Sequence, residues 1–188
     1  MELAIGPPSR MTAGLPLQHP LVVTFSSANK DKEGNAEALR LQDLTGVWAF
    51  VSLTNPDMEQ NLAPPRIDLL RGQTADSIHP IQQRQEGDDT PVAYATFAGL
   101  IITEPGKYRL RINLIDMNAL GESLGDERPS ADLCSPLLED QGSGAGKVLR
   151  VLHSPTVDVV EDGQRQHVFD EAELNNAKSR LRSIGVDC

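Results

Sequence analysis

From Lys107 to Ile115 the chain alternates without a break, with Tyr108, Leu110, Ile112 and Leu114 on one side and Arg109, Arg111 and Asn113 on the other. A period of two marks a strand with one buried face; here the opposite face is basic. The run before it, ATFAGLIIT, has strand length, and the intervening EPG carries the proline and glycine of a turn, so the pattern predicts a β-hairpin. GVWAFVSL is apolar on both faces, with Val47, Ala49, Val51 and Leu53 on one and Trp48 and Phe50 on the other. That predicts a central strand covered on both sides.

Prolines mark the ends of other strands, because proline donates no ladder hydrogen bond and restricts the residue before it. ELAI is closed by Pro7 and Pro8, and PLVVTFSS is opened by Pro20. RIDLLRG reads as a short strand, and KVLRVLHSPTVDVV as strand with a bulge or an edge at Pro155. Three polar stretches, 28–43, 73–91 and 118–147, read as loop insertions. The tail DEAELNNAKSRLRSIGV is the one good helix: Asp170 and Glu173 form a capping box, Leu174, Ala177, Leu181 and Ile184 share a face, and Gly185 ends it. About seven short strands, irregular loops and a terminal helix predict a mainly β protein, an immunoglobulin-like β-sandwich, although the Cys…Trp…Cys spacing of antibody domains is missing.

Length and composition agree with one turn-rich domain over 1–188: the chain has 188 residues, 15 of them glycine and 13 proline. The formal charge of −10 argues against non-specific nucleic-acid binding by the whole surface, since that affinity comes from Lys and Arg neutralising phosphates. Any nucleic-acid contact then needs a local basic patch or a basic partner. Cys134 and Cys188 have no framework or metal-ligand spacing, so reduced thiols in a cytoplasmic or nuclear compartment are expected. MELAIGPPSR has no basic n-region followed by an apolar run, and no window approaches about 18 apolar residues, so neither a signal peptide nor a membrane span is expected.

Enzymatic signatures are missing: the sequence holds no GxSxG, no Walker-type loop, no HExxH and no CxxC. GSGAGK at 142–147 reads as flexible linker, since no Ser or Thr follows Lys147. His19, His79, His153 and His167 are scattered, and the acidic pairs at 88–89, 139–140 and 161–162 read as solvated loop charge. The expectation is a non-enzyme with no cofactor, no metal and no small-molecule substrate. What remains is basic: Arg10 in the opening loop, Arg66 and Arg71 around a short strand, and Lys107, Arg109 and Arg111 along one strand face. Phosphate or base contacts are one reading of these residues; a solvated face or cross-strand ion pairs is the other.

In chain order, ELAIGPPSRMTAGLPLQHPLVVTF, VWAFVSL, FAGLIITEPGKYRLRINLIDM and FDEAELNNAKSRLRSIGV resemble the velvet domain of fungal developmental regulators, closest to the velvet C branch. The matching positions are Leu3, Ile5, Pro8, Arg10 and Gly14; Phe97, Leu100, Ile102, Gly106, Tyr108, Arg109, Leu110 and Arg111; and Gly185 and Val186. The resemblance implies a sandwich of the Rel/NF-κB DNA-binding type, homo- or heterodimers with other velvet proteins, a nuclear location with shuttling to the cytoplasm, and control of sporulation, development and secondary metabolism. Arg10 falls at the first arginine of the family's DNA-side loop, and Lys107, Arg109 and Arg111 are the other DNA-contact candidates. Leu174, Leu181 and Ile184 are the candidate partner contacts. The lysines and arginines that follow the first arginine in DNA-binding velvet domains have no counterpart in MTAGLPLQH, residues 11–19. DNA binding is therefore expected to be weak or to run through a partner; the alternative is a module that dimerises with other velvet proteins and retargets them without touching DNA.

Overall fold

The computed structural model describes residues 1–26, 44–81, 91–118, 146–161 and 171–186. Several expectations fall wholly or partly outside them: the insertions at 28–43, 73–91 and 118–147, the GSGAGK stretch at 142–147, the acidic pairs at 88–89, 139–140 and 161–162, the pair Cys134 and Cys188, and His167 and Asp170.

The described chain is mainly β, with several sheets and one helix. Its strands are β1 (Glu2–Ile5), β2 (Arg10–Thr12), β3 (Leu21–Ser26), β4 (Val47–Thr54), β5 (Asn61–Ala63), β6 (Leu70–Arg71), β7 (Ala75–Ser77), β8 (His79–Pro80), β9 (Pro91–Phe97), β10 (Ile101–Ile102), β11 (Gly106–Asp116), β12 (Lys147–His153) and β13 (Val157–Val160), followed by the helix α1 (Glu171–Ser183). One sheet runs β1-β3-β9-β8, a larger one β2-β13-β11-β4-β5 with β12 on β11 and β7 on β4, and β10 pairs with β6. The main core joins Leu21, Val23, Phe25 and Phe97 of the first sheet to Val51, Leu53, Leu110, Ile112 and Leu114 of the second.

The hairpin read from ATFAGLIIT and KYRLRINLI is not formed. β9 pairs with β3 and β8, whereas β11 pairs with β4, β12 and β13. Residues 98–105 carry the chain from one sheet to the other, turning at Gly99 with φ 61°. Alternation reports which side chains are buried; it does not report which strand lies alongside, and Phe97 and Leu110 reach the same core from different sheets.

Two further stretches differ from the pattern. In RIDLLRG only Leu70–Arg71 is extended, because Leu69 N–H bonds Arg66 O at 3.2 Å and closes a turn. Within 73–81, expected as loop, β7 pairs with β4 and β8 with β9. The Asp76 carboxylate accepts Thr96 N–H at 2.8 Å and contacts His79 Nε2 at 3.1 Å, tying β7 to β9.

The second core lies under the helix. Leu181 and Ile184, with Val186, pack on Ile5, Val22 and Ile81, and Leu174 and Ala177 border them. This explains the unbroken apolar run in β3: Leu21, Val23 and Phe25 enter the main core, while Val22 points to the helix.

Where β11 changes neighbour from β13 to β12, the ladder is bridged by a side chain. Buried Ser154 Oγ accepts Leu110 N–H at 3.0 Å and donates to Pro155 O at 2.7 Å, and Ser154 N–H bonds Leu110 O at 2.8 Å. Ser154→Ala leaves the Leu110 N–H without that acceptor, and a loss of about 1–3 kcal/mol is expected in urea unfolding.

Candidate interaction surface

The outward side of β11 gathers residues that are far apart in sequence. Lys107 stands opposite Asp158 of β13, and Asp158 stands opposite Arg10 of β2. Neighbours in register share a face, so Arg10, Lys107, Arg109 and Arg111 all lie on one side of the larger sheet. Nothing in the local sequence around Arg10 signals this; parallel pairing of β2 with β13 produces it.

The four cations differ in their surroundings. Arg10 Nη2 meets Asp158 Oδ2 at 3.3 Å, with side chains 43% and 40% exposed, so its charge is already matched within the chain. Arg111 Nη1 donates to Asn61 Oδ1 at 3.1 Å, and Arg109 Nη1 reaches Ser154 O at 3.5 Å. Among the described residues neither Arg109 nor Arg111 has a carboxylate within 4.0 Å, the limit for an ion pair. Their Nε atoms, and Asn113 Oδ1 next along the strand, are buried without a hydrogen-bond partner. Arg66, by contrast, is held by Glu104 and Asp68.

His153 on β12 stands beside Arg111. Burial, and then the charges of Arg111 and Arg109, lower its pKa below the ordinary histidine value. The unfolded chain therefore binds this proton at higher pH than the folded one, and stability falls as pH drops below about 6.5. His153→Gln is expected to flatten that acid-side loss, read from urea midpoints at neutral and mildly acid pH. The other described histidines sit elsewhere: His19 Nδ1 faces Lys178 Nζ at 3.1 Å, and His79 meets Asp76.

The same face turns apolar toward the far end of β11. Ile115 is flanked by Trp48 of β4 and Val148 of β12, and Asn113 by Phe50 and Val151. Trp48 is 41% exposed, Val148 49% and Val151 41%, so the apolar second face of β4, expected to be covered, is open. A register shift between Leu114 and Ile115 on the β12 side puts Val148 and Val151 on one face; strict alternation along KVLRVLH separates them. Sequence reasoning missed this patch for that reason.

Leu181 and Ile184 are buried inside the chain, and Leu174 is half-buried. A partner meeting α1 without displacing it therefore touches the exposed residues between them. No family model matches the sequence, and no curated protein matches it.

Proposed function

We propose that this chain is a velvet-type transcriptional regulator of fungal development, sporulation and secondary metabolism, built on a Rel-type immunoglobulin-like sandwich. It acts in the nucleus as a dimer with a second copy or another velvet protein and reaches DNA weakly or through that partner. The motif order from ELAIGPPSR to SRLRSIGV supports the family reading. The observation that favours partner-mediated contact is the state of the basic residues: Arg10 is engaged by Asp158, and residues 11–19 add no cation. Lys107, Arg109 and Arg111 remain the DNA-facing candidates in such a complex.

The test is a gel-shift series across salt, with the chain alone and with velvet partners. Duplex binding at about 50 mM salt is expected to need the partner and to fall steeply as salt rises. No shift under any combination at that salt rules out the DNA role. Charge reversal at Arg10, Arg109 and Arg111 then separates DNA contact from partner contact. The second reading, an interaction module that retargets other velvet proteins without touching DNA, is favoured by the open apolar half of the same face. It expects partner binding with no change in the shift.

A further inference from the structure

We propose that the outer face of the sheet formed by β7, β4, β11 and β12 is a docking site for an acidic amphipathic helix of a partner protein. The proposal rests on the reading of this chain as one that works through a protein partner, and it assigns both the surface and the chemistry of what lies on it.

The apolar half of the face carries Trp48, Ile115 and Val148 in one row, and Phe50 and Val151 on either side of Asn113 in the next. An exposed apolar patch bordered by polar groups is characteristic of a contact surface, and tryptophan and arginine are enriched among the residues that dominate contact energy between proteins. The basic half supplies Arg109 and Arg111, whose guanidinium groups have no carboxylate within ion-pair distance among the described residues. Those groups call for anions. A duplex supplies anions but nothing to cover the aliphatic Ile115, Val148 and Val151. An acidic protein segment with apolar anchors satisfies both halves at once.

The shape selects a helix. The face lies in the middle of a paired sheet, where ladder groups are already used. An extended peptide lying on it would bury backbone N–H and C=O groups without partners, whereas a helix satisfies its own. Four strands span about 14 Å across three gaps, room for one helix about 10–12 Å wide. Residues two apart on a strand are separated by about 7 Å, close to the about 5–6 Å between carboxylate-bearing positions i and i+4 on a helix. Arg109 and Arg111 thus match two such acids while the helix's apolar stripe covers Trp48 and Val151.

The experiment uses the full chain and three fluorescent peptides of about 18 residues, read by anisotropy. One is an amphipathic helix with Leu on one face and Glu at i and i+4 beside it, one replaces those Glu with Lys, and one is a scrambled acidic control. A 20-bp duplex and a 20-nucleotide single strand are titrated in parallel. Only the acidic amphipathic peptide is expected to bind, and Trp48→Ala or Arg109→Gln with Arg111→Gln to weaken it at least about tenfold. Val151→Asp, at an exposed position that leaves the core intact, should weaken it as well. Equal binding of all three peptides, no binding, or binding unmoved by Trp48→Ala and Val151→Asp overturns the proposal. Preferential binding of either nucleic acid, lost in the same variants, also overturns it and makes the face a nucleic-acid surface. Velvet-partner co-purification is measured on the same samples. Partner capture without peptide binding sinks this inference alone, and peptide binding without a velvet partner sinks only the family reading.

Discussion

Replacing Gly72 with alanine is expected to lower stability by about 3–5 kcal/mol, with a matching drop in the urea midpoint. Gly72 has φ +102°, and a Cβ there would lie 2.2 Å from Gly99 O and 2.9 Å from Leu100 Cα. Both obstacles are backbone, so no side-chain rotation relieves them. The close approach comes from topology: residues after β9 leave one sheet and pass against the end of β6, where Gln73 N–H bonds Ala98 O at 3.2 Å. Gly99 serves as the control. Its φ is +61°, but a Cβ would meet nothing within 4 Å, and aspartate tolerates that conformation. Gly99→Asp is therefore expected to change stability by only about 1 kcal/mol or less.

Leu181→Ala is expected to destabilise the chain by about 2–5 kcal/mol, seen as a lower melting temperature followed by helical circular dichroism. Leu181 is 3% exposed and packs with Ile184 and Val186 on Ile5, Val22 and Ile81. Truncation removes apolar contact on the helix side of β3, and the sheet cannot follow into the space because β3 is held by β1 and β9. Were Leu181 a pure partner contact, the same substitution would leave the isolated chain's stability unchanged and weaken only binding. Leu174→Ala, at a half-buried site on the border of the cluster, is expected to have the smaller effect.

The buried row of β11 and the terminal helix were both legible from periodicity, because burial of one face imposes a repeat of two on a strand and near 3.6 on a helix. Tyr108, Leu110, Ile112 and Leu114 are buried as that repeat requires, and Leu181 and Ile184 as the helical one does. Neighbour relations were not legible. ATFAGLIIT and KYRLRINLI have the composition and turn of a hairpin, yet their ladders belong to different sheets. The polar stretch at 73–81 concealed two strands because their backbone pairing with β4 and β9 is made by mostly polar, partly exposed residues that leave no hydrophobic repeat to read.

The candidate surface divides in the same way. The sequence by itself determined that Lys107, Arg109 and Arg111 share a strand face and that Trp48 and Phe50 share another, since both statements follow from residue spacing within one strand. Only the tertiary structure decided that these belong to one surface, that Arg10 joins it through β13 with its charge met by Asp158, and that Arg109 and Arg111 stay without carboxylates among the described residues. Strand register and bulges are properties of pairs of strands, set by how whole sheets close on the core, and no single stretch of sequence carries them.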